Sequence, residues 1–359
     1  MNKTLLLLSL TLVGLLGCQE DATQTTDPAV EAGSKAFDYL VELSDGSVGI
    51  GARATGTEAE TRTAEWIQDK LTGWGYSPEL QAFSYTRRGT EMSSQNVVVT
   101  LPGQSDQVVV LGAHYDSTGV SVGSEGATDN GAGVTSLLAV AEAVAGKTLP
   151  YTVRMVFFGA EEVGTKGSEA YVASLSSEQL TQILAMVNLD TPVGGDILYV
   201  HSAHSDEGEY GCDDASRYSF DPKVRDRLIS LSQQGDMTPF VLHPSFPGYP
   251  EGETGSWSDH AAFACQGIPV AYLEATNFGI NGEDGYDGYS QTTNAALWDC
   301  YDADSKSACD RDSETQWGKI WHTQYDRLDR MEEVFPGRIQ SQIADSTRLM
   351  LRFVQDPGL

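Results

Sequence analysis

The sequence predicts an α/β fold of three layers, α/β/α, around a central mixed, largely parallel sheet. Two observations carry this. Five near-continuous apolar runs have the character of strands buried on both faces: NVVVTL (96–101), QVVVLGAH (107–114), VRMVFFGA (153–160), LAMVNLD (184–190) and PVAYLEA (269–275). Helical patterning intervenes between strand-like runs, as in parallel sheets whose crossovers are helices.

The elements follow in chain order. MNKTLLLLSLTLVGLLGCQED has one lysine, a short apolar run and then Leu15-Leu16-Gly17-Cys18. The run is too short to span a bilayer, which takes about 20 apolar residues. It is the layout of a bacterial export signal over residues 1–17, ending in a lipobox-like pattern with Cys18 as the lipidated residue. Gln19 is not the aspartate that often retains lipoproteins at an inner membrane, so in a two-membrane host the outer one is the expected address. Residues 18–34 are polar and small, as in a flexible tether, and residues 35–359 read as a single catalytic domain. Thr57 and Glu60 fit a capping box that opens a helix. Ile67, Leu71 and Trp74 keep helical spacing, and Gly73 and Gly75 end it. GAGVTSLLAVAEAVAG (131–146) sets Val134, Leu137, Leu138 and Ala141 on one helical face. The stretch from about 201 to 320 is rich in Gly, Asp, Ser and Tyr and reads as loop insertions.

The net charge of −29 argues against nucleic acid or an anionic membrane surface as partner. It suits cationic substrates, or plain solubility in salty surroundings. Contact with a membrane is expected through the lipid anchor only, and the protein is expected to be a monomer. Besides Cys18, four cysteines remain, an even number in an exported chain, which suggests disulfides. Cys300 and Cys309 flank a short polar loop and form the first pair; Cys212 and Cys265 follow by elimination. The acidic loops DGYDGY (284–289) and DADSKSACDRDSE (302–314) offer clustered oxygens for calcium. The second lacks the glycine of an EF-hand loop, so solvated acidic loops are the plainer reading.

Chemistry gathers where the apolar runs stop. QVVVLGAHYDS ends in His114 and Asp116, VFFGAEE in Glu161 and Glu162, and LAMVNLD in Asp190. Ligands of open α/β sheets sit at these carboxyl ends. Asp129 lies on a glycine-rich loop before a helix, and His322 follows Ile320–Trp321. Imidazoles and carboxylates brought together this way suit zinc. Each group has a bland alternative, such as a helix cap for Asp129 or a satisfied buried histidine for His114. Five in order along one chain make coincidence improbable.

GAHYDS, TDNGAGV, FFGAEEVGTKGS, NLD, SDHAAF with GIP, and IWHT–x–x–D together resemble the secreted di-zinc aminopeptidases of metallopeptidase family 28, over roughly residues 35–355. SDHAAFACQGIPVAYLEATN further resembles the branch containing the alkaline phosphatase isozyme conversion aminopeptidase. The resemblance implies a zinc-peptidase fold and two zinc ions per chain. One would be held by His114 and Asp190, the other by Glu162 and His322, with Asp129 bridging. It implies Glu161 as general base and peptides or proteins with a free N-terminus as substrates. Asp116 is expected to orient the His114 imidazole. Glu274 is a candidate for meeting the substrate's amine or a basic side chain, with a structural role as the alternative. Some relatives carry an oxyanion-stabilising tyrosine where this chain has Trp321; Tyr249 and other tyrosines of the 245–290 loops are the substitutes to examine. Two rivals stand against the aminopeptidase: a glutaminyl cyclase-like enzyme with one zinc, and a non-catalytic peptidase-like binding protein. The complete ligand set and Glu161 weigh against both.

Overall fold

The computed structural model describes residues 28–359. The expected signal sequence and Cys18 lie outside the described residues. The strands of the main sheet are β1 (Glu79–Arg87), β2 (Thr90–Leu101), β3 (Gly103–His114), β4 (Leu149–Phe158), β5 (Ile183–Leu189), β6 (Ile197–Ala203), β7 (Glu253–Thr254) and β8 (Val270–Thr276), and Tyr301–Asp302 pairs with Ser307–Ala308 in a separate short ribbon. The main sheet has the order β1-β2-β4-β3-β5-β8-β6-β7. The four central strands β4, β3, β5 and β8 run parallel, and antiparallel pairings flank them. The helices are α1 (Pro28–Ser44), α2 (Glu58–Gly73), α3 (Ala132–Ala143), α4 (Lys166–Ser174), α5 (Ser177–Gln182), α6 (Lys223–Ser232), α7 (His260–Ala264), α8 (Leu328–Val334) and α9 (Arg338–Gln355).

Alternation along β3 builds two cores. Val109, Leu111 and Ala113 pack with residues of α2, α3, α6 and α9 on one face, among them Leu71, Leu138, Leu228 and Phe353. Val108 and Val110 face the other way, with Tyr171 and Val172 of α4 and Phe263 of α7. Both faces of the central strands are therefore dry, which is why their sequence reads as unbroken apolar runs. Each fully buried Val, Leu or Phe contributes about 1.5–3 kcal/mol relative to exposure.

The five expected strands form, and the fold class is as the sequence indicates. Several local readings change. Residues 28–34, expected within the tether, are the opening turns of α1, because Ala32, Gly33 and Ala36 bury against the body of the protein. The capping box at α2 is one-sided. Thr57 Oγ1 accepts from the Glu60 amide, but Glu60 turns its carboxylate to the Gly56 amide and Ser94 Oγ. Both disulfides form, Cys212–Cys265 and Cys300–Cys309, each with Cα atoms 5.4 Å apart. In the 302–314 loop, Asp302 and Asp310 take hydrogen bonds from Asp304 N, Ser305 Oγ, Asp312 N and Ser313 Oγ. Those carboxylates serve turns.

Candidate metal centre

The parallel strands deliver the polar groups to one end of the sheet. His114 is the last residue of β3, Asp190 follows β5, and Glu161 and Glu162 lie three and four residues beyond the end of β4. Asp129 sits in the turn leading into α3, and His322 in the loop before α8. Three residues at these turns hold left-handed backbone without being glycine: Ala160, Thr191 and His322, with φ of 56°, 50° and 59°. Such residues cost of order 1–3 kcal/mol and persist where the surroundings over-determine them.

The donor atoms converge. His114 Nε2 lies 3.1 Å from Asp190 Oδ1 and 3.2 Å from Asp129 Oδ1. His322 Nε2 lies 3.0 Å from Asp129 Oδ2 and 3.2 Å from Glu162 Oε2. Two groups of three donors thus share Asp129, one oxygen each. Donors bonded at about 2.0–2.1 Å around a tetrahedral ion stand roughly 3.3 Å apart, so these spacings fit zinc. Glu162 Oε1 is buried and has no hydrogen-bond partner of its own. His114 Nδ1 is 3.2 Å from the Asp116 carbonyl. That contact favours the tautomer with a proton on Nδ1 and a lone pair on Nε2 facing the acids.

Asp116 does orient His114, but through its backbone. Its carboxylate stands 3.6 Å from Nδ1. It instead accepts from the Glu161 amide (3.0 Å), the Glu162 amide (3.2 Å) and Thr55 Oγ1 (2.6 Å), and so fixes the turn that carries both glutamates. Further supports were not singled out from the sequence. Ser258 donates to Asp190 Oδ2 (2.7 Å) and accepts from Asn188 Nδ2 (2.8 Å). Asp326 accepts from Thr128 N, Thr128 Oγ1 and Ser124 Oγ beneath Asp129. Ser258 and Asp326 lie inside SDHAAF and IWHTQYD, so the motifs held the signal.

Electrostatics match the crowding of acids. Burial, with Asp190, Asp259 and Glu162 adding to it and His114 opposing, pushes Glu161 well above the ordinary carboxylate range. Burial and Asp129 push Glu162 up to about 7. Burial would lower His322, but hydrogen bonds to Asp129 and Glu162 raise it to about 11. These are protons that a bound cation displaces.

A cavity of about 150 Å³ opens beside these donors. Trp257, Tyr272, Tyr289 and Trp321 supply aromatic walls, and Glu274 and Asp287 supply carboxylates. Glu274 is buried, and its Oε1 has no hydrogen-bond partner, although His201 Nε2 lies 2.8 Å away off the hydrogen-bonding direction. Burial raises Glu274 to about 8. The tyrosines that reach the cavity are Tyr272 and Tyr289; Tyr249 stacks on Phe246 instead and does not line it.

An open α/β sheet that gathers two imidazoles and three carboxylates at its strand ends, with Asp129 common to both donor groups, is the setting of a metallohydrolase. The chain belongs to peptidase family M28, whose model matches residues 96–347. It is 26% identical over 325 residues to the alkaline phosphatase isozyme conversion protein of Escherichia coli, covering 85% of each chain. It is 30% identical over 251 residues to an aminopeptidase of Pseudomonas aeruginosa, covering 67% of this chain and 42% of that one. The match therefore spans less than half of the Pseudomonas protein. Among solved structures, a zinc aminopeptidase from Bacillus subtilis superposes with a TM-score of 0.61 at 16% identity, covering 90% of this chain and 95% of that one. A glutaminyl cyclase from Porphyromonas gingivalis superposes with a TM-score of 0.56 at 17% identity, covering 92% and 98%. At these identities the structural likeness is one of fold.

Proposed function

We propose that this chain is an exported metallo-aminopeptidase. It removes the N-terminal residue from peptides or proteins with two zinc ions per chain and Glu161 as general base. The observation that carries this is Asp129, whose two oxygens face two different imidazoles. An oxygen for each of two donor groups suits a pair of ions and supports the two-zinc reading. Membership of the peptidase family and the aminopeptidase name of the Pseudomonas relative support it.

His114, Asp190 and Asp129 would hold one ion, and Glu162, His322 and Asp129 the other. Bound zinc would supply Lewis acidity toward the scissile carbonyl and acidify water. Glu161 lines the cavity beside the donors. It takes a proton from the attacking water as the new C–O bond forms. It then passes that proton to the leaving nitrogen as the C–N bond breaks. The Glu161 amide donates to Asp116 Oδ1, which fixes the backbone that carries the Glu161 side chain. Glu274, in the same cavity, is assigned to substrate binding. The same proposal puts the protein at the cell envelope, anchored through Cys18 and acting as a monomer; the export-signal pattern of residues 1–18 supports the anchor. Loss of fatty-acid labelling in Cys18→Ser checks the anchor.

The test is a panel of aminoacyl-anilides and their N-blocked counterparts, with a metal count per chain and Glu161→Gln as control. Release from free but not blocked substrates, with two ions per chain, is the expected result. A Glu161→Gln fall of 10²–10⁴-fold at unchanged metal content is expected for a lost general base. One ion per chain with cyclisation of a glutamine-led peptide would replace this reading with the cyclase. Full metal loading with no turnover of any substrate would replace it with a binding protein.

A further inference from the structure

Arg53 is completely buried, yet no carboxylate among the described residues forms an ion pair with it. A buried charge is costly unless its hydrogen-bonding capacity is met. Here backbone carbonyls meet it. Nε donates to Tyr115 O (2.8 Å), Nη1 to Gly51 O (2.9 Å) and Glu125 O (2.8 Å), and Nη2 to Gly126 O (2.8 Å).

The owners of those carbonyls are informative. Tyr115 stands between His114 and Asp116. Glu125 and Gly126 lead into the turn that presents Asp129. One planar guanidinium therefore joins the end of β3 to the loop of the bridging carboxylate. The approach is close: a Cβ placed on Gly126 would stand 2.7 Å from Nη2, and Gly126 has a φ of 66° that favours glycine. Backbone ties reinforce the staple. Arg53 N donates to Ser117 Oγ (3.0 Å) and Ser117 N to Arg53 O (3.2 Å). Two residues on, Thr55 Oγ1 donates to Asp116 Oδ2 (2.6 Å). Asp116 in turn holds the amides of Glu161 and Glu162. Segment 51–55 thus touches the supports of His114, Asp129, Glu161 and Glu162 without contributing a ligand. The charge of Arg53 also faces Asp326, Asp116, Asp129 and Glu162 at longer range.

We propose that Arg53 is a positioning residue for the metal centre: its guanidinium fork, with Thr55 beside it, clamps the β3 end to the Asp129 turn and so sets the donor spacing at which divalent ions bind. The fork matters more than the charge, because the bonded carbonyls lie in different directions around one plane. A lysine keeps the charge but presents a single nitrogen. The inference rests on the metal-centre reading of the site and goes beyond it in assigning a role to a segment that carries no ligand.

The experiment titrates metal-stripped protein with Zn²⁺ by calorimetry and chelator competition, alongside thermal unfolding. It compares wild type with Arg53→Lys, Arg53→Met and Thr55→Val. Both Arg53 variants are expected to bind Zn²⁺ about 10–100-fold more weakly, as when outer supports of metal ligands are lost. Thr55→Val is nearly isosteric and partly exposed, so it should fold even if the core variants do not. It is expected to weaken binding by about tenfold, at the low end of that range. Wild-type affinity in Arg53→Lys would show that charge alone suffices and overturn the clamp. A lowered Tm with unchanged Zn²⁺ affinity in all variants would reduce Arg53 to a folding residue and overturn it as well. Wild type taking up no Zn²⁺ would instead bring down the metal-centre reading itself, so the two failures are distinct.

Discussion

At the scale of single residues, the candidate site separates groups that offer donor atoms from groups that fix those donors in place. The five donors and Glu161 were legible because each terminates an apolar run or sits in a recognisable motif. Their supports were less so. Asp326 meets Thr128 across 198 positions, and Ser258 meets Asp190 across 68, and nothing local announces such pairings. Ser258→Ala removes the hydroxyl that points Asp190 Oδ2, and about a tenfold loss of Zn²⁺ affinity is expected at unchanged fold. Wild-type affinity would show that Asp190 needs no such support. Protons supply another prediction. Burial opposes protonation of both imidazoles, but Asp129 and Glu162 raise His322 to about 11, and the acids around His114, Asp190 first among them, raise it too, which favours bound protons in the metal-free site. Metal uptake must expel them, so affinity rises with pH. Calorimetry in buffers of different ionisation enthalpy should show proton release; a buffer-independent heat would contradict it.

At the scale of elements, the strands of the parallel core were read well because burial on both faces leaves an unmistakable pattern. The edge was not. β1 is largely exposed along its length and mostly polar, and it is a strand because nine of its residues pair with β2. α1 was read partly as tether because its first turns are small residues, the kind that allow close helix packing. Gly33 is such a position: a Cβ there would stand 2.7 Å from Ala344 Cβ on α9. Gly33→Leu is therefore expected to destabilise the protein by about 1–3 kcal/mol through overpacking. Thermal and urea unfolding of the metal-free protein would show it. Unchanged stability would mean that α1 does not depend on this contact. α9 buries Ile339, Ile343, Met350 and Phe353 along one face. Its amphipathic signal lies in the sequence, at a distance from any motif.

At the scale of the whole molecule, acidity and burial meet in the pH dependence of stability. Burial raises Glu274 to about 8 and Glu60 to about 7, against an ordinary 4.5. The folded protein keeps protons that the unfolded chain releases. This contribution is complete below about pH 4.5 and fades as pH rises toward 7–8. Metal-free wild type should therefore lose stability across that window. Glu274→Gln, with no proton to lose there, should lose less and be the more stable at pH 8. Parallel Tm curves for the two would refute the assignment. The sequence by itself determined the layered α/β class, the disulfide pairs and the six residues proposed here as ligands and base, because periodicity, cysteine parity and motif order are written locally. Only the tertiary structure decided that Asp116 serves the Glu161–Glu162 turn, that Tyr272 and Tyr289 rather than Tyr249 reach the cavity, and that Arg53 joins two ligand-bearing loops. Those outcomes depend on which carbonyls and amides the sheet brings within 3 Å of a side chain, a matter of register and crossover that no short stretch of sequence contains.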